Sequence, residues 1–454
     1  MKHMNSSERS AMMLGAPVSK VIPQLAVPSI ISMLITSIYN MADTFFVSQL
    51  GTSASGAVGV IFSAMAIIQA ISFTIGIGTG TNVSQCLGAG DETRARRYAS
   101  TGFFTALIAG TVIAVLGLSS IDWLVRFLGA TETIAPYARD YATYIFYAAP
   151  FMMCSFVMNN LLRFQGLSTY GMVGITVGGL LNIALDPLFI FVFGLGTAGA
   201  AIATAISQVV SFCILLVMSN CQQDAISFRL RDFRPTLGMY GRILYLGFPS
   251  LGRQGIASVS TILLNTAAGV HGDAAIAAMS IVSRFIMFIN STVIGFGQGF
   301  QPVCGFSYGA GKYKRVREAY SFCVKVATLI LLALSIFAFL AAEPIITVFR
   351  RDDPAVIEIG SLALRLQLCT LPLWGVITMT NMFTQSIGYG VRATLLAISR
   401  QGIFLIPLLL ILPGTLGLLG IQAAQPLSDL CTFVLALFIA ANVLKKIKRL
   451  EYEA

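Results

Sequence analysis

Four residues define the chemistry this sequence could do in an apolar setting: Asp43, Asn182, Asp186 and Thr204. Two carboxylates, an amide and a hydroxyl are hard oxygen donors suited to a hard cation, and neighbouring acids also favour proton uptake through mutual repulsion. Asn182 and Asp186 form an i, i+4 pair, so a helix projects them together. Thr36, Tyr39 and Asn40 share a helical face with Asp43 and would support it with polar groups. Pro28 lies fifteen residues before Asp43 and is the expected hinge, because it removes one backbone hydrogen bond from the same helix. The set needs no cofactor. H+ or Na+ is the expected ion, and sodium at these four residues is the only metal foreseen.

These residues need elements that hold them away from water, and the composition supplies such elements. Of 454 residues, 56% are hydrophobic and only 11% charged, with a mean hydropathy of +0.82. Soluble proteins carry about a quarter charged residues. Uncharged apolar runs such as Tyr98–Ile121 and Phe285–Gly311 match the length a helix needs to cross about 30 Å of hydrocarbon. Period-two alternation is absent, which excludes a β-barrel. The expected spans are near 21–48, 55–87, 98–119, 137–162, 171–192, 198–219, 243–269, 274–306, 319–341, 357–387, 393–411 and 417–443. The expected class is an all-α membrane protein with twelve transmembrane helices. Counting from the span ends puts Asp43, Asp186 and Thr204 at a common depth of roughly 10 Å below the outer surface.

The net charge of +10 points to membrane orientation, not to nucleic acid. Loops of one set, with the termini, carry twenty Lys and Arg residues, among them Lys2, Arg94, Arg231, Lys312 and Lys448. The other set has four: Arg126, Arg139, Arg350 and Arg351. Both termini are therefore expected in the cytoplasm. The first 19 residues lack an apolar core, so no cleaved signal peptide is expected. Eight scattered cysteines without CxxC spacing suggest neither a disulfide nor a metal centre.

Shifted by 221 residues, the chain matches itself: Pro28-Ser29 falls on Pro249-Ser250, Gly76 and Gly78 on Gly297 and Gly299, and Gly88-Ala89-Gly90 on Gly309-Ala310-Gly311. The halves are duplicates of six spans each, a parallel repeat about an axis along the membrane normal. The organisation expected is a cytoplasmic segment 1–20, an N-lobe 21–219, a cytoplasmic linker 220–242, a C-lobe 243–443 and a cytoplasmic tail 444–454. Two such lobes around a cavity can rock and expose a central site alternately. Gly76, Gly78 and Gly80 read as a close-packing face.

The second half lacks the acids, since Asp43 falls on Leu264 and, with a shift of 220, Asp186 falls on Ile406. A residue needed only for folding should appear in both copies, so the acids read as functional. Asp429 and Arg284 are polar positions of the C-lobe: Asp429 is expected to pair with a cation of its own lobe, and Arg284, the deepest basic residue, to face protein or water near Asp429. Arg163, Arg253, Lys325, Arg365 and Arg400 are expected to snorkel to the interface. Tyr144, Tyr147, Phe151, Phe156 and Phe288 read as packing or lipid contacts.

The stretches Tyr39–Thr44, Gly78–Gln85 through Gly90, Arg163–Gly166 and Asn182–Pro187 resemble the multidrug and toxic compound extrusion family, above all its prokaryotic branch with an acidic site in the N-lobe. The resemblance covers almost the whole chain. It implies two lobes around a V-shaped cavity and antiport of organic, often cationic, drugs against protons or sodium. It matches the cation site to Asp43, Asn182, Asp186 and Thr204, neighbouring polar positions to Tyr39 and Thr36, and the bending proline to Pro28. Another branch carries acids on helices seven and ten, where this chain has only Glu358 at an edge.

The implied setting is a bacterial or archaeal cytoplasmic membrane. The implied partners are the lipid bilayer and hydrophobic or cationic small molecules, with the chain monomeric. The nearest rival is a flippase for lipid-linked oligosaccharides, which calls for a broad cationic cavity. An enzyme is not expected: there is no HExxH, and the one GxSxG match, Gly305–Gly309, ends a helix instead of following a strand.

Overall fold

The computed structural model describes residues 6–221, 226, 228–349 and 353–453. Lys2, Arg350, Arg351 and part of the 220–242 stretch lie outside the described residues. Twelve long helices account for most of the chain. In the first half they are α1 Val18–Ser48, α2 Thr52–Gly88, α3 Glu92–Ser119, α4 Ala135–Phe164, α5 Ser168–Val192 and α6 Gly196–Asn220. In the second half they are α7 Leu237–Gly269, α8 Asp273–Gly309, α9 Tyr313–Leu340, α10 in two pieces (Pro354–Thr370 and Leu373–Ser386), α11 Gly390–Leu416 and α12 Leu418–Glu453.

Ten of these are long and apolar enough to cross a membrane, and the two pieces of α10, bent by 55°, make an eleventh. Helix α7 is as long as the others at 33 residues but carries Arg242, Arg253, Gln254 and Asn265, which lower its hydropathy. No strand occurs among the described residues. The span expected over 357–387 is interrupted at Leu371-Pro372, where a proline cannot donate to the preceding turn. At the C-terminus α12 continues as helix through 444–453.

The duplication is visible in the element boundaries. Helices α2 and α8, and α3 and α9, begin and end 221 residues apart. The short surface helices that follow α3 and α9, Ile121–Phe127 and Ala342–Phe349, start with the same offset. The turns leading into α3 and α9 each need a left-handed residue, and glycine supplies it at Gly90 and Gly311 (φ +78° and +69°).

Two apolar cores form, one per half, but α1 and α7 do not keep to their own half. Val21, Ile22, Leu25 and Ala26 of α1 belong to the core of the second half, while Val47 at its other end belongs to the first. Conversely, Ile243 of α7 joins the core of the first half. Glycines make both crossings possible. A Cβ on Gly299 would overlap the backbone of Ala26, and one on Gly78 would overlap the carbonyl oxygen of Ile243. Of the glycine face read from the sequence, Gly78 is a contact between lobes, whereas Gly76 and Gly80 pack on Asn160 and Phe164 of α4 within the first lobe.

Hydrogen bonds tie the lobes at the end that bears the basic loops. Arg242 donates to Asn82 Oδ1 (2.7 Å) and Gln85 Oε1 (3.1 Å), and Gln85 Nε2 donates to the carbonyl oxygen of Ser386 (2.7 Å). Along α1 toward the opposite end, the last hydrogen bond between lobes among the described residues joins Ser37 and Ser291. Beyond it no further hydrogen bond joins α1 to the second lobe among the described residues. The Gly305–Gly309 stretch lies at the joined end, packed on Ser84 and Gln85, so its match to a hydrolase motif is a packing feature.

Candidate functional site

Helices α1, α4, α5 and α6 build the site in the first lobe. Asn182 and Asp186 leave α5 on one face, and both are buried. Asn182 Nδ2 lies 3.3 Å from Asp186 Oδ1 and 3.2 Å from Thr204 Oγ1 of α6, donating to both. Pro187 follows at once, and the helix continues as a π turn over Leu188–Val192, an irregularity often found at functional sites.

Asp43 projects from α1 and accepts a hydrogen bond from the hydroxyl of Tyr141 on α4 (3.1 Å). Tyr39, one turn before Asp43 on the same face of α1, lines a space shared with Asn182 and Thr204. Hydrogen bonds thus join Asn182, Asp186 and Thr204 directly, and α1 carries Asp43 to the side of this group held by Tyr141. Three of their buried oxygens have no hydrogen-bond partner: Asp43 Oδ1, Asn182 Oδ1 and Asp186 Oδ2. Orphaned acceptors are costly away from water, and a cation or protons would satisfy these.

Beside them is a small enclosed space of about 10 Å³, enough for roughly one water-sized particle. Thr36, Tyr39, Asn182 and Thr204 line it, with Ser207, Gln208 and Ser211 of α6. Tyr39 is buried there, while Thr36 directs its hydroxyl to the carbonyl oxygen of Ser32. Asn40 is half-buried and does not line this space. Phe156 does, so it belongs to the site and not to a lipid surface.

Tyr141, Ser207, Gln208 and Ser211 did not emerge from the sequence reading. For the α6 trio a signal existed: with Thr204 they stand at i, i+3, i+4 and i+7 on one face. Pro28 is buried where α1 passes from one core to the other, between Ala26 and the polar face that begins at Thr36.

Several basic residues are placed otherwise than expected. Asp429 is not beside Arg284; it pairs with Arg400 Nε at 2.7 Å. The reason is the π turn Ser399–Ile403 in α11, which turns Arg400 inward toward α12. Arg400 also stacks on Trp374, 3.6 Å from the ring centroid, so it does not snorkel. Nor does Arg163, which is buried and donates to Asn160 Oδ1 at 2.6 Å. Arg284 is exposed and lies seven residues from Ser291, on the same face of α8 as the residue that meets Ser37 of α1.

With this geometry in place, comparison with known proteins is decisive. The MatE family pattern matches residues 28–188 and 249–411, one copy in each lobe. The chain belongs to the MatE family. The multidrug export protein MepA of Staphylococcus haemolyticus is 26% identical to this MatE chain over 93% of each sequence, and MepA of Staphylococcus saprophyticus 27% identical over 89% of each.

Among solved structures, MATE in complex with MaL6 superposes with a TM-score of 0.92 at 28% identity, covering 97% of this chain and 99% of the other. A multidrug resistance MATE transporter of the MOP superfamily in an outward-facing conformation superposes at 0.90 with 28% identity, covering 97% and 98%. Matches over the full length at this level make the MatE chain a multi-pass membrane transporter with twelve helices in two lobes, and not an enzyme.

Proposed function

We propose that this MatE protein is an antiporter that exports organic, often cationic, drugs by alternating access, driven by H+ or Na+ entering among Asp43, Asn182, Asp186 and Thr204. The observation that carries the reading is the trio of partnerless buried oxygens on Asp43, Asn182 and Asp186. Two carboxylates side by side repel, and an ion between them removes that repulsion. Neutralisation then favours whichever arrangement of α1 brings Asp43 closest to α5.

Because the inner half of α1 packs in the second lobe and its outer half in the first, a shift at Asp43 loads the stretch around Pro28. That gives the ion leverage on how the lobes meet. The drug occupies the V-shaped cleft, and names of relatives such as multidrug export protein support this substrate class. The basic loop end faces the cytoplasm of a bacterial or archaeal cell, by the excess of Lys and Arg there. Monomeric action in the lipid bilayer suffices, since both lobes lie in one chain.

The test is drug-for-cation exchange in proteoliposomes under separate pH and sodium gradients. Wild type should exchange under at least one gradient, and Asp43→Asn and Asp186→Asn should not, at equal expression. Normal exchange by either variant removes that residue from the mechanism.

A further inference from the structure

At the basic end of the bundle, between α9 and α12, a cavity of about 520 Å³ lies outside both the cleft and the ion site. Val324 and Leu444 give it apolar walls, and Arg317, Lys325, Lys445 and Lys448 bring four cations to it. One acid answers them: Glu451 Oε2 lies 3.0 Å from Arg317 Nε. Among the described residues no ion pair includes Lys325, Lys445 or Lys448, so the cavity keeps an excess of three positive charges.

Its depth is equally specific. Arg317 lies in the first turns of α9, and Lys325, eight residues on, sits about 12 Å further into the helix. Lys445 and Lys448 lie near the end of α12. The cations thus span the boundary between headgroups and hydrocarbon, where a lysine extends its ammonium along an apolar stem.

We propose that this cavity binds the phosphate headgroup of an anionic phospholipid, with Lys325, Lys445 and Lys448 as the recognising groups and the Val324–Leu444 wall against its acyl chains. Basic pockets between transmembrane helices at this level suit such headgroups. A zwitterionic headgroup carries its own cation and gains far less from three lysines. A doubly charged headgroup such as that of cardiolipin matches the excess best. The proposal does not depend on which ion drives transport.

The experiment uses the full chain in nanodiscs of phosphatidylcholine alone or with a minor fraction of cardiolipin, with native mass spectrometry for retained lipid and thermal unfolding as a second readout. Wild type should retain cardiolipin over phosphatidylcholine and unfold at a higher temperature in its presence. Lys325→Gln, Lys445→Gln and Lys448→Gln should each weaken retention about fivefold. Unfolding in pure phosphatidylcholine should stay at the wild-type temperature for Lys445→Gln and Lys448→Gln, whose side chains are exposed. Equal retention of cardiolipin by the lysine variants would overturn the proposal. So would equal retention of the two lipids by wild type, or the same stabilisation by inorganic phosphate alone.

Discussion

The buried Asp429 forms an ion pair with the half-buried Arg400 at the position where the repeat sets Gln208 in the first lobe. The Asp429 carboxylate also accepts from Thr370 (3.3 Å) and Trp374 (2.8 Å), which stand on either side of the break in α10. Gln425 adds a fourth hydrogen bond at 2.9 Å. The second lobe therefore carries a tethered cation and a satisfied carboxylate, whereas the corresponding region of the first lobe keeps its acceptors open.

Breaking that pair should destabilise the second lobe. Asp429→Leu leaves the half-buried Arg400 without its ion-pair partner and should lower stability by about 3 kcal/mol, the low end for a buried pair. Arg400→Leu with Asp429→Asn should lose less than Arg400→Leu alone, because the amide oxygen still accepts from Trp374 without a bare charge. Thermal unfolding of the purified variants gives the ranking, and equal losses would show that the charges do not interact.

In the first lobe the opposite sign is expected. Asp186→Asn removes a buried carboxylate with an unpartnered oxygen, so it should keep or raise stability, by up to about 1–3 kcal/mol, while abolishing exchange. Unfolding temperature and transport measured on the same preparation test this. A variant that loses both stability and transport would mark Asp186 as structural.

Gly78→Ala should be harmful far beyond its size. The added methyl group meets the carbonyl oxygen of Ile243, a backbone atom that cannot rotate away. The expected loss is about 1–3 kcal/mol. Gly238→Ala, near the start of α7 with open space around it, should be neutral or stabilising. Similar behaviour of the two would refute the glycine contact between α2 and α7.

Ser37 and Ser291 offer a direct test of lobe movement, since their hydroxyls are 2.9 Å apart across the lobes. With both replaced by cysteine (Ser37→Cys, Ser291→Cys), oxidation should form a disulfide, stop exchange, and be reversed by reductant. Full exchange by the oxidised variant would mean that this contact does not open during transport.

Much of the architecture was legible before any coordinates. Spans follow from hydropathy and length, and the 221-residue repeat, which requires only matching residue types, predicts the shared boundaries of α2 with α8 and α3 with α9. Polar residues on one helical face are equally local: Asn182 with Asp186 needs only the helical period. The break at Leu371-Pro372 was written in its proline, but the apolar run around it concealed it. Helix α7 looked like an ordinary span although it is less apolar than its neighbours.

What the sequence alone determined, then, is which residues share a helix face and that one lobe holds acids its copy lacks. Only tertiary packing decided their partners: Tyr141 for Asp43 across 98 residues, Arg400 instead of Arg284 for Asp429, and the division of α1 between two cores. Periodicity orients a side chain relative to its own helix axis. Which neighbour it meets depends on how that helix is rotated and seated against others, and glycine contacts between lobes and π turns within α5 and α11 set that seating.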